Sequence, residues 1–257
     1  MKLVLPMAGR GSRYAGQGYE IPKPLIEVAG KPMLLWALDG LLELEFSELI
    51  LVVLAEHEIR FSMSVLVKDY LNQQRIANPK RSETPIKLVT IPEVTGGQLS
   101  TVLAAKSLID TEEDVLVAAS DTFIRSNLRK DIQGKPAACA GIISVINLPG
   151  EQWSFARTDA ANRVVEVAEK VRISNHASNG LYYFSKGADL VAFGEEMIRK
   201  DERTRGEFYV IPVYQKMIDA GKLVTISQAS EMWDLGTPEA KARFEAYIST
   251  NKHSLKP

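Results

Sequence analysis

The sequence contains little that could form covalent or metal cross-links. Its 257 residues include one cysteine and three histidines, and the histidines form no spaced metal-binding pair. A single cysteine excludes an internal disulfide and a multi-cysteine metal site. Cys139 lies in an apolar run with no histidine near it in sequence, so we predict a buried structural thiol. A chain of this length can instead bury a large core.

An excess of one charge and long apolar runs are also lacking. The formal net charge is -1, with 31 Lys and Arg against 32 Asp and Glu. This balance argues against nucleic acid or an anionic membrane as a partner. No apolar run approaches the roughly 18 residues of a membrane span, and the run after Lys2 is too short for a signal peptide. We therefore expect a cytoplasmic protein.

Short apolar runs alternate with helical patterns in the first half of the chain. Runs rich in Val, Ile and Leu between helices indicate βαβ units on a parallel sheet that is covered on both faces. We predict a doubly wound α/β sheet with ligands at the carboxyl ends of its strands. The predicted strands are Lys2–Met7, Leu49–Ala55, Ile86–Ile91 and Val115–Ala119, and the predicted helices are Pro32–Leu42, Phe61–Leu71 and Gln98–Leu108.

The second half is less regular, although no linker or composition break separates it from the first. The polar tail from Ser249 is predicted to fray. The predicted strands are Ala138–Ile146, Phe155–Thr158, Val164–Val167, Leu181–Phe184 and Leu223–Ile226, and the predicted helices are Gly187–Arg199, Phe208–Ala220 and Pro238–Ile248.

A loop with two glycines follows the first predicted strand and runs from Ala8 to Arg13. Glycines tolerate positive φ and have no Cβ, so the backbone N–H groups around them can converge on an anion. The dinucleotide fingerprint fails because Tyr14 stands at its third glycine, and the ATPase loop fails because no Gly-Lys-Ser/Thr follows. The glycines alone leave a tight turn with solvated arginines as the alternative.

A lysine bracketed by two prolines follows this loop. Pro22 and Pro24 fix their own φ angles and restrict the residues before them, so Lys23 is stiffly presented. Together with Arg13, Lys23 would place positive charge beside the loop, where phosphoryl chemistry develops negative charge. The turn Gly30–Met33, which reads Gly-Lys-Pro-Met, then leads into the next predicted helix.

The segments at 8–13, 22–25 and 30–33 together resemble the three-part signature of the sugar-phosphate nucleotidylyltransferases, also called nucleotide-sugar pyrophosphorylases. Their order and spacing match apart from a slightly long stretch around Gly16–Tyr19, and the similarity continues to about Phe244. The resemblance implies a Rossmann-like, glycosyltransferase-A-like three-layer sandwich with a mostly parallel mixed central sheet. It implies transfer of a nucleoside monophosphate from a nucleoside triphosphate to a sugar 1-phosphate or similar phosphorylated acceptor, with release of pyrophosphate, for nucleotide-sugar biosynthesis.

The same resemblance sets the expected domain organisation. We expect a single nucleotidyltransferase domain over residues 1–257, with a nucleotide-binding half at about 1–125 and an acceptor-binding half at about 126–248. Family members are often dimers or tetramers, so a homo-oligomer fits the resemblance, although no exposed stripe in the sequence fixes the oligomeric state.

Two aspartates match the family's metal-binding positions, and the resemblance implies that both coordinate Mg²⁺. Asp121 follows the fourth predicted strand, and Asp234 stands directly before a Leu-Gly-Thr-Pro-Glu run. A carboxylate at a strand's carboxyl end also lies where a hard cation needs oxygen ligands. The alternatives are a turn or capping role for Asp121, and a late motif that only starts the last helix, with Thr237 as its cap.

The resemblance assigns further residues by position. It implies that Arg13 stabilises the departing pyrophosphate, Lys23 the α-phosphate charge, and Lys170 the acceptor phosphate. The implied nucleotide-binding residues are Ala8, Gly9, Arg10, Gly11, Ser12, Gly97 and Ser120. The implied acceptor-binding residues are Ser154, Glu169, Asn179, Gly180, Tyr182 and Glu207.

Two departures from the family pattern leave the substrates open. Pro92 falls near a glutamine of the better-known thymidylyl and uridylyl enzymes, so the base cannot be carried over. Ser154 falls where many members have glycine, so the acceptor need not be glucose 1-phosphate. The alternatives are a cytidylyltransferase for phosphocholine or an inositol phosphate and a non-catalytic nucleotide-sugar-binding protein. A glycosyltransferase is disfavoured because Asp121 begins no Asp-x-Asp motif.

Overall fold

The computed structural model describes residues 1–9, 11–79 and 81–251, except for the side chain of Ser12. The strands are β1 Lys2–Pro6, β2 Glu27–Val28, β3 Lys31–Pro32, β4 Glu48–Leu54, β5 Ile86–Ile91, β6 Val115–Ala118, β7 Thr122–Ser126, β8 Cys139–Ile146, β9 Ser154–Thr158, β10 Val164–Glu169, β11 Ala177–Phe184 and β12 Leu223–Asp234. The helices are α1 Ser12–Ala15, α2 Met33–Asp39, α3 Ala55–Phe61, α4 Met63–Ala77, α5 Gln98–Leu103, α6 Lys106–Ile109, α7 Leu128–Gly134, α8 Gly187–Arg199, α9 Ile211–Asp219 and α10 Pro238–Thr250, with a 3-10 turn at Lys23–Leu25.

The central sheet is mixed and mostly parallel, as predicted. Its strand order is β5-β4-β1-β6-β11-β8-β12-β7, and β9 and β10 extend it beside β11. The pairs β4–β5, β1–β4, β1–β6 and β8–β12 are parallel. Strand β11 runs antiparallel between β6 and β8, and β7 runs antiparallel to β12. The buried apolar runs therefore form the α/β sheet that their composition indicates.

Helices cover both faces of this sheet, which gives three layers. On β1, Leu3 and Leu5 face one core with residues of α2 and α4, while Val4 faces the other core with residues of α5, α8 and α9. This alternation is the period-2 pattern of a strand buried on both sides. Among the described residues, no helix has the length and apolar character needed to cross a membrane.

A third apolar cluster lies beneath two loops that carry charged residues. It contains Ile26, close after Lys23, and Leu235, directly after Asp234, both almost fully buried. Phe244 of α10 packs edge-on against Trp36 of α2 in this cluster, with ring centroids 5.0 Å apart. The last helix therefore supports the loops that follow β1 and β12.

The structure corrects several predicted boundaries. The helix predicted over Phe61–Leu71 is part of two helices, α3 and α4, because Ser62 adopts a left-handed conformation with φ +47° between them. The helix predicted from Phe208 begins at Ile211, because the backbone of Phe208 pairs with Gly96 and Leu99 instead. Strand β7 and helix α7 were not predicted, and β12 is longer than predicted. The tail beyond residue 251 lies outside the described residues.

The Gly-Lys-Pro-Met turn has a structural explanation. The Lys31 ammonium donates to the Asp39 carboxylate, lies 3.3 Å from the Tyr70 hydroxyl, and lies 4.7 Å from the ring centroid of Trp36. Burial lowers the pKa of Lys31 and raises the pKa of Asp39, while their mutual attraction opposes both shifts. This partly buried ion pair fastens the β2–β3 hairpin to helix α2.

We expect Lys31→Met to lower the free energy of unfolding by about 1–3 kcal/mol, because Asp39 would keep its carboxylate in a partly buried place without a cation. Urea-induced unfolding measures this change. Lys87→Met is the matched control, because the Lys87 side chain is 53% exposed and 3.9 Å from Glu48. Its expected effect is at most about 1 kcal/mol. Equal losses in the two variants would contradict the role given to Lys31.

Candidate active site

The glycine-containing loop after β1 packs against the segment that carries Lys23. Gly11 has φ +60°, and a Cβ at this position would lie 2.9 Å from Lys23 Cβ. Both the left-handed backbone and the close approach require glycine here. At the start of the loop, Met7 N–H donates to the Val52 carbonyl over 2.7 Å. Arg10 and the side chain of Ser12 lie outside the described residues, so their predicted phosphate contacts stay predictions.

Lys23 points from its proline-bracketed turn to the end of β6, where its ammonium donates to Asp121 Oδ2. Pro22 has φ -54° and precedes the turn, and Pro24 is buried within it. Burial alone would raise the pKa of Asp121, but the charge and the hydrogen bond of Lys23 outweigh it, so this pKa lies below its ordinary value. The sequence prediction that Lys23 is stiffly presented therefore agrees with its geometry.

The β7–β12 pairing brings Asp234 beside Asp121. Asp234 lies opposite Thr122 in this pairing, and Leu235 N–H donates to the Asp121 carbonyl over 2.8 Å. The Asp234 carboxylate accepts the N–H of Gly236 over 2.8 Å. Burial and the negative charge of Asp121 raise the pKa of Asp234, while the Gly236 bond, Lys23 and Arg13 lower it in part. Two carboxylates distant in sequence thus face each other.

Gly236 shows how closely these groups converge. A Cβ at Gly236 would lie 2.7 Å from Asp234 Oδ1, 3.3 Å from Lys23 Nζ and 3.4 Å from Asp121 Oδ2. Two carboxylates facing one place suit a hard cation that takes its other ligands from substrate phosphates and water. Within the described ranges, no group of three or more His, Cys, Asp and Glu side chains is arranged to bind a metal by itself. The two carboxylates therefore fit a Mg²⁺ ion that takes its other ligands from substrate and water.

Tyr14 connects the glycine-containing loop to the Asp234 loop, and sequence reasoning missed it. Its side chain is almost fully buried, and its hydroxyl donates to the Leu235 carbonyl over 2.6 Å. Burial raises the pKa of Tyr14 well above its ordinary value, so the group stays a hydroxyl donor. In the sequence Tyr14 was only the residue that broke a glycine fingerprint, because its partner lies 221 positions away.

A second set of predicted residues meets where β10 ends beside the start of β9. The Ser154 hydroxyl donates to Glu169 and lies 3.4 Å from the Tyr182 hydroxyl, which donates to it. Lys170 follows Glu169 with φ +56°, and its N–H donates to the Trp153 carbonyl over 2.9 Å. Burial raises the pKa of Glu169, while the Ser154 bond and Lys170 partly lower it. Three of the predicted acceptor-side residues are therefore joined by hydrogen bonds, and Lys170 follows them in the chain.

Gly180 lies between the two sets. It has φ +89°, its carbonyl accepts the N–H of Ala119 over 3.1 Å, and a Cβ there would lie 3.0 Å from Ala119 Cβ. Ser120 is half-buried on the short link from Ala119 to Asp121. The acceptor-side strand β11 therefore touches the chain that leads to the carboxylate pair.

Three further predicted residues differ in their burial. Asn179 is 1% exposed, and its side chain donates to Ser144 over 2.9 Å and accepts from Leu181 N–H, so its geometry does not support an acceptor contact. Glu207 is exposed on a turn closed by hydrogen bonds with Thr204. Arg13 is exposed on α1, and its charge acts on the Asp234 carboxyl.

Gly97 has a packing reason to be glycine. Its φ is +142°, and a Cβ there would lie 2.5 Å from the backbone nitrogen and oxygen of Phe208. Phe208 N–H donates to the Gly96 carbonyl, and Leu99 N–H donates to the Phe208 carbonyl, each over 3.0 Å. The start of α5 is thereby joined to the segment that precedes α9. A nucleotide contact at Gly97 stays a prediction.

Comparisons with known proteins agree with this architecture. The mannose-1-phosphate guanylyltransferase catalytic subunit beta of Danio rerio is 24% identical over 246 residues, which are 93% of this chain and 62% of that protein. Bifunctional protein GlmU of Methanococcus maripaludis is 26% identical over 261 residues, which are 99% of this chain and 54% of that protein. The chain therefore spans less than two thirds of the length of these relatives.

Similarity to a solved structure extends over the full fold. The nucleoside-diphosphate-sugar pyrophosphorylase of Vibrio cholerae RC9 superposes with a TM-score of 0.74 and 25% identity, covering 95% of this chain and 99% of that one. The family model described as "Nucleotidyl transferase" matches residues 2–251. The protein belongs to the nucleotidyl transferase family.

Proposed function

We propose that the protein transfers a nucleoside monophosphate from a nucleoside triphosphate to a sugar 1-phosphate or a similar phosphorylated acceptor, and releases pyrophosphate. The convergence of Lys23, Asp121 and Asp234 beside the glycine-containing loop carries this proposal. The names of the relatives, which include a mannose-1-phosphate guanylyltransferase and a nucleoside-diphosphate-sugar pyrophosphorylase, support the same reaction class.

The proposed substrates occupy different parts of one domain. The glycine-containing loop and Lys23 belong to the nucleotide half at about 1–125, and Ser154, Glu169 and Lys170 belong to the acceptor half at about 126–248. Asp234 comes from the far end of the second half and reaches the first through β7. We expect the acceptor phosphate to lie between Lys170 and the carboxylate pair.

On the nucleotide side, the chain supplies positive charge and backbone donors. The N–H groups of the loop around Gly9 and Gly11 would hold the triphosphate. Lys23 would stabilise the charge that develops on the α-phosphate, and Arg13 would stabilise the departing pyrophosphate. Because Lys23 already pairs with Asp121, its ammonium is held next to the place where that charge develops.

Asp121 and Asp234 would hold Mg²⁺, which when bound would neutralise charge on the phosphate oxygens of both substrates. The low pKa of Asp121 keeps this carboxylate ionised. Burial raises the pKa of Asp234 and the negative charge of Asp121 raises it further, and a bound cation would relieve this repulsion. In the structure, the Lys23 ammonium supplies part of the positive charge beside the two carboxylates.

On the acceptor side, the protein has to position the acceptor phosphate. No side chain has to remove a proton from it. A phosphate monoester is already an anion near neutral pH, so its oxygen can attack the α-phosphorus in line while the bond to pyrophosphate breaks. Lys170 would hold that phosphate, and Glu169, fixed by Ser154, would face the hydroxyl groups of the acceptor. Positioning and electrostatics would then supply most of the rate.

The proposal is tested by pyrophosphate release from purified protein with Mg²⁺, CTP, UTP, dTTP, ATP or GTP, and a panel of sugar and polyol phosphates. We expect release that requires one nucleotide and one acceptor. Ser154 stands where many family members have glycine, and its hydroxyl lies against Glu169. The panel therefore includes phosphocholine and inositol phosphate. Nucleotide binding without release from any pair would favour the binding-only alternative.

Gly236→Ala is expected to lower turnover by about 10- to 100-fold, because the new methyl group would displace the Asp234 carboxylate by a fraction of an ångström or more. Gly236 has no positive φ, so we expect a change of about 1 kcal/mol or less in unfolding free energy. Gly134→Ala is the matched control, since a Cβ there meets nothing within 4 Å. Full activity of Gly236→Ala would argue against a reaction centre at this point.

The proposed reaction bears on the cellular location, and the family resemblance bears on assembly. Nucleoside triphosphates and phosphorylated sugars are cytoplasmic metabolites, so the proposed reaction places the protein in the cytoplasm. A homo-oligomer stays a prediction from the family resemblance, which sedimentation of the purified protein would decide.

A further inference from the structure

The ammonium of Lys170 is held by a residue to which the sequence assigned no role of its own. It donates to the hydroxyl of Tyr209 and lies 4.4 Å from the centroid of the same ring. We propose that Tyr209 is a positioning residue that holds Lys170 ready for the acceptor phosphate. The inference rests on the proposed function, because it gives Lys170 the acceptor phosphate as its ligand.

The backbone of Lys170 is fixed, so only its side chain has freedom to lose. Its N–H donates to Trp153, and its carbonyl accepts a bond from Arg205 over 3.4 Å. Its φ of +56° is uncommon for a residue other than glycine, which shows that the surrounding contacts determine the backbone here. A free lysine side chain loses rotamer entropy when a ligand orders it. Tyr209 would remove part of that cost beforehand.

Tyr209 is itself on a firmly held segment. Thr204 and Glu207 exchange two backbone hydrogen bonds, of 3.0 and 3.1 Å, directly before it. Phe208, which directly precedes Tyr209, is buried, and its backbone forms hydrogen bonds with Gly96 and Leu99. Helix α9 then begins at Ile211. The phenol therefore projects from a segment that is fixed on both sides.

The chemistry of the phenol matters as much as its position. Within the described parts of the chain, no carboxylate forms an ion pair with Lys170, although Glu169 is its neighbour. Glu169 bonds to Ser154 instead. A neutral hydroxyl and ring orient an ammonium without cancelling its charge. Lys170 would thus meet an incoming phosphate with no carboxylate bonded to its ammonium, whereas Lys23 is already paired with Asp121.

We expect Tyr209→Phe to raise the KM for the acceptor about 5- to 20-fold, the loss of one hydrogen bond to a charged group. The KM for the nucleotide and kcat should change by less than about twofold, since the ring and Lys170 remain. Tyr209→Leu, which also removes the ring, should raise the acceptor KM further. A change in kcat alone, or equal changes in both KM values, would overturn the positioning role.

Tyr183→Phe is the matched control. Its hydroxyl donates to Asp114 over 3.0 Å at the start of β6, the end of the sheet opposite the site. Loss of the hydrogen bond to Asp114 should lower the free energy of unfolding and leave the acceptor KM unchanged. Urea-induced unfolding of both variants shows whether a fall in stability by itself moves the kinetic constants.

A second measurement needs no activity. The rate of acetylation of Lys170 by acetic anhydride, followed by peptide mass spectrometry, should be about threefold or more higher in Tyr209→Phe than in the native chain. An unchanged rate would overturn the Tyr209 contact. If the native protein turns over no nucleotide and acceptor pair, the proposed function fails, and the acetylation rate still decides whether Tyr209 holds Lys170.

Discussion

Asp121→Ala should lower kcat for pyrophosphate release by at least about 100-fold, the effect of removing one preorganised electrostatic contact from a reaction centre. The carboxylate is the partner of Lys23 and faces the same point as Asp234. Its loss would remove one oxygen ligand of the proposed cation and release Lys23. The measurement is the initial rate at saturating nucleotide, acceptor and Mg²⁺.

The fold should survive this substitution. The backbone carbonyl of Asp121, which accepts the N–H of Leu235, is retained in alanine. Asp110→Ala, on an exposed turn after α6, is the control for loss of an aspartate and should keep full activity. Near-normal turnover of Asp121→Ala would show that the carboxylate pair is not the metal site.

The second large effect is expected for Lys23→Met, which should also lower kcat by about 100-fold. Methionine keeps most of the side-chain stem, whose Cβ packs against Gly11, and removes only the charge. Lys106→Met is the control, because the Lys106 side chain is 59% exposed and pairs with Glu195 on the surface. The initial rate is measured as for Asp121→Ala.

Lys23→Met also separates catalysis from binding. If Lys23 acts on charge that develops in the transition state, kcat falls and the KM for the nucleotide changes little. A raised nucleotide KM with unchanged kcat would instead mean that Lys23 only binds the ground-state triphosphate. That result would contradict the role given to Lys23 on the α-phosphate.

The sequence predicts the central strands well because their cause is local. β5 begins and ends at the predicted residues, because its run of apolar and polar residues lies between Pro85 and Pro92. β4 is shifted by one residue and is a short apolar run that starts at Glu48. The predicted strand Val115–Ala119 likewise puts Asp121 just beyond the carboxyl end of β6, and in the structure Asp121 lies beside Asp234. Strand β7 is harder to predict, because its five residues include an arginine and a serine, and pairing with β12 stabilises it.

The supports of the site are not readable from the sequence because they join distant residues. Tyr14 reaches Leu235 across 221 positions, and Lys170 reaches Tyr209 across 39. A tyrosine in either place is equally compatible with an ordinary core residue. Asn179 shows the converse, since a strand residue near a predicted ligand site can use its side chain for hydrogen bonds within the sheet. Its predicted acceptor contact stays a prediction.

The most direct test of the central claim follows the phosphorus atoms. The protein is incubated with Mg²⁺, the acceptor found in the panel, and its nucleotide labelled at either the α- or the γ-phosphate. We predict that the α-label appears in the acceptor product, that the γ-label appears in pyrophosphate, and that EDTA abolishes both. Release of the γ-label as inorganic phosphate, or an α-label that never joins the acceptor, would contradict nucleotidyl transfer.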